Sequence, residues 1–91
     1  MKREYSYPAV IAGGYDGGRL WVANFPGLSG CWAEGESRDE VVSRAPDTLG
    51  MYIKSCIEAE IPIPEPLDAA ELRSADVGEI MVITCFAEEQ E

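Results

Sequence analysis

The stretch Phe25-Pro26-Gly27-Leu28-Ser29-Gly30-Cys31, followed by Gly35-Glu36-Ser37-Arg38-Asp39-Glu40, decides how this chain folds. The Pro-Gly pair predicts a tight turn, because proline fixes φ and glycine accepts a positive φ. Ser37 and Glu40 have the spacing of a capping box, in which the hydroxyl accepts from a backbone N–H three residues later. The order of these signals predicts a strand, a turn, a short strand and then a capped helix.

Strand patterns lie on both sides of that turn. Tyr5–Ala12 alternates with a period of two residues, and Pro8 predicts an edge or a bulge on its side of the strand, since it lacks an N–H. A loop rich in glycine at 13–18 separates this strand from a second one at Leu20–Phe25, and Gly30–Glu34 forms a third. Short connections of this kind predict an antiparallel meander of three strands.

One helix is predicted from Ser37 to about Glu60, because apolar residues recur there at intervals of three or four. Pro46 would cost roughly 3 kcal/mol inside that helix, and Gly50 about 1 kcal/mol relative to alanine. We therefore expect a kink or a break just before Pro46. The apolar stripe consists of Val41, Ala45, Leu49, Tyr52 or Ile53, and Cys56.

The rest of the chain predicts one more strand. Ile61–Pro66 contains three prolines and should be extended, close to polyproline II. Asp68–Leu72 is expected to form a single helical turn, Glu79–Phe86 a final strand, and 87–91 a disordered tail. The chain is therefore predicted to be one α+β domain over residues 1–91, with the helix packed on one face of a four-stranded sheet.

The final strand is apolar on both faces, with Ile80, Val82 and Phe86 on one side and Met81, Ile83 and Cys85 on the other. One helix can cover only one face of a small sheet, so the second face needs a partner. This predicts a homo-oligomer, most simply a dimer. The alternative is that the proline-rich segment folds across that face. The residues expected to mediate self-association are Ile80, Val82, Ile83 and Phe86.

The charge of the chain favours a protein partner over a nucleic acid. Seven basic and seventeen acidic residues give a formal charge of −10, which repels a phosphate backbone and suits a basic protein. The alternative is that this charge only keeps the protein soluble. No apolar run is long enough to span a membrane and the N-terminus has no apolar signal region, so we expect a cytoplasmic protein with no membrane partner.

No catalytic or cofactor-binding pattern stands out. The chain has no histidine, which excludes a Ser-His-Asp triad, a Cys-His pair and histidine metal ligands. Cys31, Cys56 and Cys85 are far apart and are predicted to be buried free thiols rather than a zinc site or a disulfide framework. The Gly13–Gly18 loop does not fit a phosphate-binding motif. The residues predict a binding module that needs no cofactor or metal and is not an enzyme.

The ordered set of motifs resembles the HicB-like antitoxin family of bacterial toxin–antitoxin systems, and it covers nearly the whole chain. The similar positions are Tyr7-Pro8-Ala9-Val10-Ile11, the glycine-containing loop before Trp21-Val22, Phe25-Pro26-x-Leu28-x-Gly30-Cys31, Gly35-x-Ser37-x-x-Glu40, and Ile61-Pro62-Ile63-Pro64-Glu65-Pro66.

The resemblance implies a β-β-β-α-β fold like a truncated ribonuclease H, and a domain that binds and masks a small basic HicA-type toxin that cleaves mRNA. Many family members carry a DNA-binding segment after the last strand, where this chain has only 87–91, so direct DNA binding is not expected. The chain also has Pro46 where the family usually has a helix former. From charge and loop position, we expect the toxin to contact Asp16, Glu34, Glu36 and Asp39, beside the turn at 25–30.

Two other functions stay open. One is a stand-alone oligomeric domain, ligand-binding or structural, that has no toxin partner. The other is a degenerate metal-dependent nuclease, although the predicted first strand, Tyr5–Ala12, offers no carboxylate for a two-metal site.

Overall fold

The structure, a computed structural model, describes residues 2–73 and 78–88, apart from the side chains of residues 15, 16, 71 and 73. The α+β fold with four strands is confirmed, since all neighbouring strands pair antiparallel in the order β3-β2-β1-β4. The elements are β1 (Lys2–Gly14), α1 (Tyr15–Gly18), β2 (Leu20–Asn24), β3 (Trp32–Gly35), α2 (Arg38–Glu58), α3 (Ala69–Arg73) and β4 (Glu79–Glu88).

The central strand is β1, and its two neighbours cover different parts of it. It pairs with β4 from Lys2 to Ile11, but with β2 only from Val10 to Gly13. Pro8 therefore lies where β1 has β4 on one side and no strand on the other. This agrees with the edge position predicted for a residue that lacks an N–H.

Several element ends differ from the prediction. β1 extends beyond Tyr5–Ala12 at both ends and includes Glu4, and the loop at 13–18 contains the single turn of α1. β4 continues through Glu88, so the predicted tail at 87–91 is wrong for its first two residues; residues 89–91 lie outside the described part of the chain.

The stretch between β2 and β3 consists of two consecutive turns. The Leu28 N–H donates to the Phe25 carbonyl, and the Cys31 N–H donates to the Leu28 carbonyl, each at 3.1 Å. Gly27 and Gly30 hold the third position of these turns with φ of 87° and 77°, the signature of type II geometry. The side chains of Phe25, Leu28 and Cys31 are all buried, so the loop is anchored in the core and β3 begins later than predicted.

Helix α2 begins at the predicted cap and is continuous past Pro46. The Ser37 hydroxyl accepts from the Glu40 N–H at 3.1 Å, and the Glu40 carboxylate accepts from the Glu36 N–H. The prediction was a kink or a break before Pro46, and the break is wrong, because tertiary packing holds the helix together on both sides of the proline. The buried residues of α2 are the predicted stripe: Val41, Ala45, Leu49, Ile53 and Cys56.

A Schellman motif ends α2. The Glu60 N–H donates to the Ile57 carbonyl and the Ile61 N–H donates to the Cys56 carbonyl, with Glu60 in the left-handed region at φ 56°. The following segment, 61–68, contains neither helix nor strand, as predicted for its prolines. The Tyr7 hydroxyl donates to the Pro64 carbonyl and so fastens this segment beside β1.

The core lies between α2 and one face of the sheet, which we call the inner face. β1 contributes Tyr5, Tyr7, Ala9 and Ile11 to it, and all three cysteines are buried free thiols, as predicted. Burial raises the pKa of the Cys31 thiol to about 11, with the neighbouring Cys85 and Cys56 adding to the effect.

Replacing Gly13 or Gly50 with alanine should change the free energy of unfolding in opposite directions. A Cβ on Gly13 would lie 2.0 Å from Cδ2 of Trp21, whereas a Cβ on Gly50 would meet only the Cβ of Cys85, at 3.9 Å. We expect Gly13→Ala to destabilise the fold, and Gly50→Ala to stabilise it by about 1 kcal/mol through helix propensity. Urea unfolding of both variants measures the difference, and equal effects of the same sign would contradict this packing.

The Cys31 thiol should make stability fall at alkaline pH. The unfolded thiol ionises near pH 9 and the folded thiol only near 11, so the unfolded state binds fewer protons between these values. We expect the free energy of unfolding to fall through this window by more in the wild type than in Cys31→Ala. Urea titrations at pH 9, 10 and 11 test this, and parallel curves for the two proteins would disprove it.

Candidate functional site

The four strands and the start of α2 meet at one end of the sheet, which we call the acidic end. The hairpin from β1 to β2 turns there, because Gly13 pairs with Trp21. β3 ends there, because Gly35 also pairs with Trp21, and β4 begins there, because Glu79 pairs with Ile11. α2 starts three residues after β3 ends, so its N-terminus joins the same end.

The structure brings three of the four predicted partner-binding residues to the acidic end. Glu34 lies on β3, Glu36 lies between β3 and α2, and Asp39 is in the first turn of α2; all three are exposed. The Asp39 side chain is 99% exposed. The backbone of Asp16 is in α1, at the same end, but its side chain is outside the described residues.

Two arginines neutralise other carboxylates at this end. Arg38 clamps Glu79 with two hydrogen bonds, of which the one from Nε to Oε1 is 2.8 Å, and this pairing lowers the pKa of Glu79 and raises that of Arg38. Arg44 Nη1 lies 3.2 Å from Oε1 of Glu40. Helical spacing could have predicted the Glu40–Arg44 pair, but no local signal links Arg38 to a residue 41 positions away.

The carboxylates of Glu34, Glu36 and Asp39 are not neutralised by a close ion pair within the described residues. Arg38 approaches Asp39 only at 3.9 Å, and Arg44 donates to the backbone carbonyl of Glu34, not to its side chain. Within the described residues, no ion pair involves the carboxylates of Glu34 and Glu36. The acidic end therefore presents carboxylates that an incoming cation can approach.

An apolar surface adjoins these carboxylates on the sheet face opposite α2, which we call the outer face. Alternation along β3 places Glu34 and Trp32 on the outer face, since Ala33 and Gly35 are buried. Trp32 is 49% exposed and pairs with Asn24, which in turn pairs with Val10. Exposed tryptophan side chains are enriched in protein-binding surfaces.

The residues predicted to mediate self-association divide between the two faces of β4. Val82 and Phe86 are 55% and 62% exposed on the outer face, with Ile80 partly buried beside them. Ile83 is in the core at 4% exposure, so its inclusion in a surface contact is wrong: it packs on the inner face, under α2.

Part of the outer face is covered by the chain itself. α3 packs against β4, and Pro8 is buried although alternation with Tyr7 and Ala9 places it on the outer face. The alternative prediction, that the proline-rich segment Ile61–Pro66 folds across this face, stays a prediction. Val82 and Phe86 are exposed there.

The carboxylates of the described residues are not arranged as a metal centre. No group of three or more of the residue types that ligate metals is positioned to hold an ion in 2–73 and 78–88. Glu4 does lie in β1, but it is far from Glu34. Across the sheet, Glu34 lies level with Ala12, and Ala12 is eight residues from Glu4 along β1, a distance of roughly 26 Å. In the same ranges, no helix is long and apolar enough to cross a membrane.

Known protein structures share this architecture. Two similar solved structures are a toxin–antitoxin complex from Streptococcus pneumoniae (TM-score 0.69, 17% identity, 94% of this chain and 70% of the other) and a HicA3 and HicB3 toxin–antitoxin complex (TM-score 0.62, 21% identity, 96% and 100%). At these identities the likeness establishes a shared fold.

The sequence comparisons reach the same family. The UPF0150 protein ssr1765 of Synechocystis sp. is 30% identical over 64 residues, which are 70% of this chain and 78% of that protein. The profile of the HicB_like antitoxin of bacterial toxin–antitoxin systems matches residues 7–84. The chain, with its core-anchored turn and its capped helix, therefore belongs to the HicB-like antitoxin family.

Proposed function

We propose that this protein is an antitoxin that binds and neutralises a small basic HicA-type toxin, and that the acidic end is the contact surface. The observation that carries the proposal is the group of exposed carboxylates of Glu34, Glu36 and Asp39, which the neighbouring arginines leave available. Family membership and the likeness to toxin–antitoxin complexes support an antitoxin role.

The proposed mechanism combines charge with an apolar anchor. A chain of net charge −10 attracts a basic protein from a distance and speeds the encounter. Trp32 on the outer face then supplies apolar contact area, and the carboxylates beside it fix the orientation of the partner. Bound in this way, the antitoxin blocks access to the active site of the toxin without any chemistry of its own.

The direct test is co-expression with the product of the adjacent reading frame, expected to be a short basic protein that contains histidine. We expect the two proteins to co-purify and the growth arrest caused by the neighbour to be relieved. If no neighbouring product binds and none arrests growth, the antitoxin proposal fails for this chain.

The contact surface is tested by removing its charges without changing its shape. We expect the triple variant Glu34→Gln, Glu36→Gln and Asp39→Asn to lower the association rate constant with the toxin by at least about tenfold at low salt, because steering depends on these carboxylates. Surface plasmon resonance across a series of salt concentrations measures the effect.

The matched control neutralises three carboxylates outside the acidic end: Glu4→Gln in β1, Glu60→Gln after α2, and Glu65→Gln in the segment 61–68. All three are exposed and carry the same total charge. The control should retain most of the association rate. Equal losses in the two triple variants would show that only net charge matters, and the acidic end would be rejected as the site.

A second candidate function is a stand-alone oligomeric domain, ligand-binding or structural, that has no toxin partner. The exposed apolar residues Val82 and Phe86 favour self-association, and such self-association would not require a toxin. Co-expression distinguishes the two candidates, because this domain would form oligomers and leave the growth arrest unchanged.

We further propose that the protein is a cytoplasmic, non-enzymatic binder, even if its sheet is of the ribonuclease H type. The reaction of that fold needs carboxylates gathered around two metal ions. Here Glu4 and the carboxylates of the acidic end are at opposite ends of β1. This separation supports a role in binding only.

Purified protein should therefore leave RNA–DNA hybrids intact in the presence of Mg²⁺ or Mn²⁺. Gel analysis of a labelled hybrid provides the measurement, with a known ribonuclease H as the positive control. Metal-dependent cleavage that disappears in Glu4→Gln or Glu34→Gln would overturn the assignment.

A further inference from the structure

Arg44 connects α2 to the strand that precedes it. From the second turn of α2, its Nη1 donates to the backbone carbonyl of Glu34 in β3 at 2.9 Å. The same nitrogen lies 3.2 Å from Oε1 of Glu40, one helical turn earlier. A single exposed side chain therefore contacts both the end of β3 and the start of α2.

Glu40 extends this connection to the residues between β3 and α2. Its Oε1, the atom beside Arg44, also accepts from the Glu36 N–H at 3.1 Å. The contacts from Glu34 through Arg44 and Glu40 to Glu36 thus close a ring with the backbone of residues 34–36. We call these four residues the junction ring.

Gly35 lies within the junction ring and lets β3 end directly against the first turn of α2. A Cβ at this position would lie 2.9 Å from the backbone nitrogen of Val41 and 3.2 Å from Cγ of Glu40. The strand end and the helix are therefore as close as a glycine permits. Across so close a contact, the hydrogen bonds of Arg44 and Glu40 fix the orientation of one element against the other.

The three carboxylates of the proposed contact surface belong to the junction ring or lie next to it. Glu34 and Glu36 join the ring through backbone atoms, so their side chains take no part in its hydrogen bonds. Asp39 precedes Glu40 in the first turn of α2. A partner that binds several carboxylates at once loses less free energy to ordering when their backbone is already fixed.

We propose that Arg44 is a positioning residue for toxin binding, which holds the carboxylates of Glu34, Glu36 and Asp39 in the relative arrangement that the basic partner contacts. This inference rests on the proposed function of the acidic end. Arg44 has the same sign of charge as the toxin, so it does not attract the toxin. It acts through the residues that it connects.

Charge and positioning predict opposite effects of neutralising Arg44. Arg44→Gln removes one positive charge from a chain of formal charge −10, which by attraction alone would tighten binding to a basic protein. Loss of the junction ring instead leaves the carboxylates to be ordered when the toxin binds. We expect the dissociation rate constant to rise by about fivefold, the size of effect expected for ordering one or two further side chains. The association rate constant should stay equal or rise.

A second cation of α2 provides the matched control. Lys54 Nζ lies 3.9 Å from Oε1 of Glu58, which gives it the same helical spacing to its carboxylate as Arg44 has to Glu40, but this pair is confined to α2. Lys54 is ten residues further along the helix, a distance of roughly 15 Å. That exceeds the Debye length of about 8 Å at about 0.15 M salt, so Lys54→Gln should retain both rate constants.

Surface plasmon resonance at that salt concentration measures the two rate constants separately. Arg44→Lys should restore most of the wild-type dissociation rate, because an ammonium group can also donate to the Glu34 carbonyl. Tighter binding or unchanged dissociation in Arg44→Gln would overturn the positioning role. An equal rise in Lys54→Gln would overturn it too, as would a rise that Arg44→Lys does not reduce.

The triple variant Glu34→Gln, Glu36→Gln and Asp39→Asn separates this inference from the proposed function. If the triple variant loses association and Arg44→Gln dissociates like the wild type, only the positioning role fails. If the triple variant binds like the wild type, the acidic end is not the contact surface, and the proposed site and the positioning role fail together.

Hydrogen exchange of the protein alone gives a readout that needs no toxin. The Glu36 amide donates to the carboxylate that Arg44 holds, so it should exchange faster in Arg44→Gln than in the wild type. The amides of Ile53 and Cys56, later in α2, should exchange at wild-type rates, which shows that the variant is folded. Unchanged exchange at Glu36, or equally faster exchange at all three amides, would contradict a local role for Arg44.

Discussion

The packing of the apolar stripe of α2 against the inner face of the sheet is the interaction on which the rest of this structure depends. Val41, Ala45, Leu49 and Ile53 are fully buried. Complete burial of a side chain such as leucine or isoleucine contributes about 1.5–3 kcal/mol, so the stripe outweighs the roughly 3 kcal/mol that a proline costs inside a helix. The helix therefore continues through Pro46.

That packing also places the acidic end. The core fixes α2 over the sheet, and the Arg38–Glu79 clamp ties its first turn to the start of β4. Asp39 and Glu40 in this first turn interact favourably with the positive end of the helix dipole. Some of the acidity that we propose for partner binding therefore also stabilises the helix, so a single set of residues serves both the fold and the surface.

Features that depend on interactions between residues close in sequence were predictable from local sequence patterns. The Ser37 cap, the stripe of α2 and the alternation of β4 follow from spacing alone, and the structure confirms each of them. The continuity of α2 could not be predicted in this way, since it depends on packing between distant residues. The burial of Ile83 was missed because alternation separates the two faces of a strand without saying which one the helix covers.

The candidate site was predictable only in part, for the same reason. Glu34, Glu36 and Asp39 are close in sequence, and a strand followed at once by a helix keeps them at one end of the sheet. Which carboxylates stay available depends on the two arginines. The partner of Arg38 comes from β4, and no pattern near Arg38 identifies it.

The pairing of β1 with β4 has a consequence for how the molecule forms. The ladder joins Lys2 to Glu88, so the longest edge of β1 stays unpaired until β4 has been synthesised. Contacts so distant in sequence slow folding, because the loop must close before they stabilise anything. Until then, the meander and α2 can assemble only one side of β1. The native sheet is therefore complete only when β4 has paired along β1.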